Sequence, residues 1–150
     1  MAKKILKAFA ARHSAHALVV SLEGNLGAGK TTFTQGFARG LGITQKITSP
    51  TFVVLKRYSI PARKAQGRER RLISLYHIDG YRLKNARELE QLGFASMLQD
   101  KGALVLIEWG DRMRKALPKN TLRIRFRHAG GNKRRIRVPA ALGKNGNVAV

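Results

Sequence analysis

The feature that most constrains this chain is the run Gly24-Asn-Leu-Gly-Ala-Gly-Lys-Thr31, which fits the pattern G-x-x-x-x-G-K-[ST]. It lies between two stretches of different character. Ala17-Leu-Val-Val-Ser-Leu-Glu23 is an apolar run of strand length, and Thr32 to Leu41 carries a helical pattern closed by Gly42. A strand, a glycine-rich turn and a helix in that order let successive backbone N–H groups curl around a phosphate. The helix adds the positive end of its dipole. The expected phosphate-binding residues are Asn25, Leu26, Gly27, Ala28, Gly29, Lys30, Thr31 and Thr32. Lys30 would reach the β- and γ-phosphates of a bound nucleotide, and the Thr31 hydroxyl would sit on Mg2+. Gly36 and Gly40 weaken the helix that follows, and are expected to let it pack closely on a sheet.

The rest of the pattern predicts an α/β fold: one P-loop NTPase domain over 1–150, with a mainly parallel central sheet and antiparallel edge strands. Strands are expected at Phe52–Tyr58, at Leu72–Ile78 ending in Asp79, and at the fully apolar Ala103–Ile107, which reads as central and covered on both faces. Helices are expected at Asn85–Leu92, stopped by Gly93, and onward to Gln99. Before the first strand, Ile5 and Phe9 mark one face of an amphipathic helix. Pro61–Arg71 reads as a basic, polar connection, and Ile43–Thr51 as a polar loop broken at Ser49-Pro50. Near the end, Thr121-Leu-Arg-Ile-Arg-Phe-Arg127 alternates strictly, and Arg135-Ile-Arg-Val138 repeats the alternation after a glycine turn. This predicts a hairpin with an apolar side and an arginine side. Residues 139–150 are expected to fray.

Composition excludes several classes. The chain has no cysteine, which removes disulfide scaffolds, thiol catalysis and iron–sulfur ligation together. His13, His16, His77 and His128 show no metal-ligand spacing. No run approaches the ~18 apolar residues of a membrane span, and the basic start is interrupted at Lys7, so the expected compartment is the cytoplasm.

With only eight carboxylates against 30 Lys and Arg, each acid can be weighed for a role. In open α/β sheets a ligand sits at the carboxyl ends of the strands. Asp79 and Glu108 fall at two such ends, and Mg2+ takes few protein ligands. Thr31, Asp79 and Glu108 are therefore the candidate metal-side residues, and Lys30, Asp79 and Glu108 the candidate catalytic ones. Glu23 also lies near that rim but is expected to face strand packing or solvent. The remaining acids, Asp111 among them, read as solvated. His77 shares strand parity with Asp79, as a group orienting it or touching substrate, or as a packed strand histidine. Trp109 is a candidate for stacking on a base or a partner, or a buried aromatic.

With Gly24–Thr32, Thr48-Ser-Pro-Thr-Phe52, Tyr76-His-Ile-Asp-Gly-Tyr-Arg-Leu83 and Leu106-Ile-Glu-Trp109 in this order, the chain resembles the TsaE (YjeE) family from about Lys4 to Arg127. These are small bacterial ATPases needed to make the threonylcarbamoyl-adenosine modification of tRNA. The resemblance implies ATP and Mg2+ in the P-loop, a switch-like loop at Thr48, Ser49, Pro50 and Thr51, and metal-side acids at Asp79 and Glu108. It also implies docking on the TsaB–TsaD pair, with ATP hydrolysis resetting that assembly. The sequence departs from the family in carrying Asn25 where Asp is usual, and in beginning almost at the first helix, where members usually have a short segment that helps hold the nucleotide.

Phosphoryl transfer needs positioning and charge neutralisation more than covalent chemistry. Glu108 or the Thr48–Thr51 loop would order the attacking water. Arg57 and Arg82 are the arginines expected to reach the rim, and neither reads as a certain arginine finger. Without one, turnover in P-loop proteins runs at roughly 10⁻⁴ to 10⁻² s⁻¹, so the expected activity is slow alone and raised by a partner. Two other readings stand beside this one. A small-molecule or nucleoside kinase would need an acceptor pocket and an arginine-bearing lid, and no such segment is visible. A non-hydrolysing RNA-binding module suits the net charge of +22, but leaves the intact Lys30-Thr31 and the two acids without a role. The basic surface, first the arginine stripe and then Arg63–Arg71, is where tRNA would lie close, unless it is simply a solvated edge.

Overall fold

The strand β1, Leu18–Glu23, is buried along its whole length, as a branched, apolar strand covered on both faces must be. A computed structural model describes residues 16–48, 54–61, 72–140 and 147–149 of the 150, the last three as backbone. From β1 the chain passes through the glycine loop into the helix α1, Lys30–Gly40. The helix starts two residues before the expected Thr32. Its cap is Gly29, a residue free to take the left-handed φ of 95° found there, so Lys30 already lies in the first turn.

Six further strands complete one mixed sheet: β2 (Leu55–Ser59), β3 (Ser74–Asp79), β4 (Ala103–Glu108), β5 (Leu122–His128), β6 (Arg134–Arg137) and β7 (Asn147–Ala149). Their order is β2-β3-β4-β1-β5-β6-β7. The four central strands, β3, β4, β1 and β5, run parallel. β2 joins antiparallel at one side, β6 and β7 at the other. The mainly parallel core with antiparallel edges is thus as expected. β2 begins only at Leu55, because Val54 holds a positive φ of 63° and breaks the extended chain. Residues 147–149, expected to fray, instead pair with β6. The expected first helix with Ile5 and Phe9, Phe52 at the expected start of β2, and all of Arg63–Arg71 lie outside the described residues.

Two apolar layers sandwich the sheet. On one face Leu18, Val20 and Leu22 of β1 pack with Leu104, Leu106, Ile124 and Phe126 under Phe37, Ala38 and Leu41 at the end of α1. On the other, Val19, Ile78, Val105 and Ile107 meet two short helices, α2 (Ala86–Gln91) and α3 (Phe94–Gln99), through Leu89, Phe94 and Met97. Asn85 caps α2 by accepting from the Glu88 N–H at 3.2 Å, while the Glu88 carboxylate accepts from the Lys84 N–H at 3.0 Å. Gly36 does not seat α1 on the sheet as expected: it is exposed, and a Cβ there would meet nothing within 4 Å. The second face remains apolar only as far as β1. Over β5 and β6 it carries arginines.

Candidate functional site

The parallel register sets the site. It pairs Asp79 with Glu108 and Glu108 with Leu22, so three neighbouring strands end at one level beside the glycine loop. Gly24, Gly27 and Gly29 take φ of 143°, 70° and 95°, left-handed values that a Cβ opposes. At Gly24 space also forbids a side chain, since a Cβ would meet the Phe126 carbonyl of β5. The loop then delivers its chain directly into the N-terminus of α1, whose cap makes no side-chain hydrogen bond.

Lys30 is 5 % exposed. Its Nζ donates to the carbonyls of Gly24 at 2.6 Å and Asn25 at 2.9 Å, and sits 3.5 Å from the centre of the Trp109 ring. Burial pushes its pKa below the usual lysine value, against the pull of Glu108, Asp111 and Asp79. The Asp111 carboxylate, expected to be merely solvated, therefore contributes to the field at Lys30. Trp109 holds a φ of 60°, strained for a side chain this large, and its N–H donates to the Leu22 carbonyl at 2.9 Å. That turn folds the indole back over Lys30. Tyr81 extends the stack, 5.0 Å from Trp109 between ring centres, and the Arg112 guanidinium lies 5.5 Å from Tyr81.

Glu108, 2 % exposed, is the hub. Its Oε2 accepts from Thr31 Oγ1 at 2.8 Å, and its Oε1 lies 2.9 Å from His77 Nε2 and 3.2 Å from Thr34 Oγ1. Thr34 has a single hydroxyl proton, shared between Glu108 and the Lys30 carbonyl 3.0 Å away. His77 is fully buried with no partner at Nδ1, so the tautomer with its proton on Nε2 fits the contact. His77 therefore orients Glu108, not Asp79. The Asp79 Oδ1 accepts from the Tyr81 N–H at 3.0 Å, which fixes the turn carrying Tyr81.

An open cleft of about 180 Å³ is lined by Leu26–Thr32 with Glu108 and Trp109. It brings together the expected loop residues and one of the two acids. Asn25 and Asp79 stand beside it without lining it. Thr48 is exposed and accepts from Lys56 Nζ at 2.6 Å, whereas Ser49, Pro50 and Thr51 lie outside the described residues. Arg57 does not reach the rim. It donates to Ser74 Oγ at 2.8 Å, at the start of β3, roughly 16 Å of strand from Asp79. Arg82 is exposed beyond the turn.

Three features escaped sequence reasoning. Thr34 could have been found, since it lies one helical turn beyond Lys30 and Thr31. Arg134 and His128 rest on the loop from the hairpin, through the Gly27 carbonyl at 3.3 Å and the Leu26 carbonyl at 3.3 Å, and nothing local announces that contact. Glu23 faces away from Glu108 and is held by Arg114 at 3.3 Å, Arg125 at 3.2 Å and Arg123 at 3.8 Å. Register brings Arg125 and Arg123 to it, and Arg114 comes from the turns after β4.

A glycine loop running from a central parallel strand into a helix, with acids ending the neighbouring strands, defines an α/β domain of the P-loop NTPase fold. A family model described as threonylcarbamoyl adenosine biosynthesis protein TsaE matches residues 1–136, and the chain belongs to that family. It is 42 % identical over 118 residues to a Bacillus subtilis tRNA threonylcarbamoyladenosine biosynthesis protein TsaE, covering 79 % of this chain and 66 % of that one. To the Treponema pallidum protein of the same name it is 41 % identical, covering 80 % of both. The crystal structure of Bacillus subtilis YdiB superposes with a TM-score of 0.59 at 34 % identity, over 89 % of this chain and 74 % of that one.

Proposed function

We propose that this chain binds ATP with Mg2+ at Gly24–Thr32, hydrolyses it slowly, and supports tRNA N6-threonylcarbamoyladenosine biosynthesis by docking on a TsaB–TsaD pair. The observation that carries the reading is the position of Glu108, bonded to Thr31 and level with Asp79 beside Lys30. Membership of the TsaE family supports the biosynthetic role.

The residues present fit a magnesium ion. Thr31, Glu108 and Asp79 offer the hard oxygen donors it prefers, and would hold it directly or, for Asp79, through water. Bound there, it would offset the negative charge that develops on the transferring group. The chain's own groups do the rest. Loop amides and the first turn of α1 hold the phosphates. Lys30 leaves the Gly24 and Asn25 carbonyls to meet the β- and γ-phosphates. Glu108, steadied by His77 and Thr34, orients the water that attacks the γ-phosphorus as the bond to the β-phosphate oxygen breaks, releasing ADP and phosphate.

Turnover should be slow for the isolated chain, of the order of 10⁻⁴ to 10⁻² s⁻¹, because among the described residues no arginine lines the cleft, and Arg134, which reaches the loop, donates to the Gly27 carbonyl. The test is phosphate release with Mg2+, alone and with a purified TsaB–TsaD pair, alongside Lys30→Ala and Glu108→Ala. Stimulation by the pair that both substitutions abolish is the expected result. ATP consumption that appears only with an added small acceptor, without release of phosphate, would make the chain a kinase. Failure of ATP to bind would remove the proposal.

A further inference from the structure

We infer that the outer face of the β5–β6 ribbon is a binding surface for the phosphate backbone of RNA, separate from the glycine loop. Arg125, Arg127, Arg135 and Arg137 line one groove of about 280 Å³. The register places Arg125 directly opposite Arg137, and Arg127 directly opposite Arg135. Like charges so placed across a ladder destabilise the pairing. Alternation with acids would serve solubility equally without that cost.

The arrangement is also not a guard on a bare sheet edge, because β7 pairs with β6 on its far side. Of the four, only Arg125 has a carboxylate partner among the described residues, Glu23 at 3.2 Å. Among the described residues none pairs with Arg127, Arg135 or Arg137, and all three side chains are exposed. An anion bridging the pairs would turn their mutual repulsion into attraction.

The chemistry selects phosphate. All four groups are guanidinium, none ammonium, and the planar fork matches phosphate oxygens two at a time. Residues two apart on a strand lie roughly 6.6 Å apart and neighbouring strands about 4.8 Å, so the four charges form a small lattice. Its long side is close to the step between successive phosphates of an extended nucleic-acid strand. The choice of RNA over DNA rests on the proposed function.

The experiment is fluorescence anisotropy of the full chain with a labelled tRNA transcript, at several salt concentrations. Poly-glutamate serves as a competing polyanion. Four contacts predict a slope of log affinity against log salt of about −3 to −4, or roughly a 10²-fold loss from 50 to 200 mM. Substituting Arg127, Arg135 and Arg137 together by alanine should shrink the slope by about 2 to 3. Removing the same charge at exposed Lys46, Lys84 and Lys119 should leave it nearly unchanged. Equal effects of the two triple variants, or preference for poly-glutamate over RNA, would overturn the inference, the latter in favour of an acidic protein partner. Thermal stabilisation by ATP–Mg2+ is read in parallel. The arginine variant should keep it, and Lys30→Ala should lose it while still binding RNA, so failure of either proposal is seen separately.

Discussion

At the scale of single residues, the site is organised around one buried carboxylate and the groups that keep it in place. Among the described residues three side chains meet Glu108 within hydrogen-bond distance, each from a different position in sequence: Thr31, Thr34 and His77. Replacing Thr34 with valine keeps the shape and removes the hydroxyl, leaving Oε1 with only His77. The shared proton places the cost at the lower end for a bond to a charged group, about 1–2 kcal/mol. A urea midpoint measured for Thr34→Val should fall accordingly, whereas Thr32→Val, on the exposed side of the same turn, should scarcely move it. Loss at both positions alike would assign the effect to helix propensity, not to Glu108.

The elements show why part of this was legible and part was not. The strand–loop–helix unit could be read because its information is local: an apolar run, a glycine pattern, then helical periodicity. Asp79 and Glu108 could be read because strand ends in a parallel sheet share one rim. What stayed hidden depends on contacts between distant segments. Arg57 was expected at the rim, but its strand runs antiparallel to β3 and carries it toward Ser74. Trp109 lies over Lys30 only because the chain turns through a positive φ on leaving β4. The loop and the ribbon abut where Gly24 meets Phe126. Gly24→Ala should therefore destabilise the fold by about 1–3 kcal/mol from crowding, with the positive φ adding to it. Gly36→Ala should act with the opposite sign, because that helical glycine is exposed with open space around it. Chemical denaturation of the pair checks both, and a stabilised Gly24→Ala would contradict the packing described.

Across the whole molecule the dominant quantity is charge, +22 over 150 residues. Two effects of salt compete. Screening weakens the ion pairs around Glu23, but each includes a part-exposed arginine, and pairs of that kind contribute about 0–1 kcal/mol. Screening also relieves repulsion among all the surface cations, as the Debye length falls from about 30 Å at 0.01 M to about 8 Å at 0.15 M. The second effect is the larger, so the melting temperature should rise over that range, by roughly 2–4 °C for each kcal/mol gained. A melting temperature that fell would mean that the Glu23 cluster outweighs the field. No helix among the described residues is long and apolar enough to cross a membrane.

The β5–β6 ribbon has two working sides. Its inner side touches the glycine loop through His128 and Arg134, and its outer side carries the arginine groove. Thermodynamic reciprocity then links ligands that never meet. To whatever extent an occupant of the groove prefers the ribbon as it lies against Leu26 and Gly27, an occupant of the loop that shares the preference must strengthen groove binding by the same factor that it is itself strengthened. A ribbon a few residues wide would thus serve as a two-sided ledge, across which each site senses whether the other is filled.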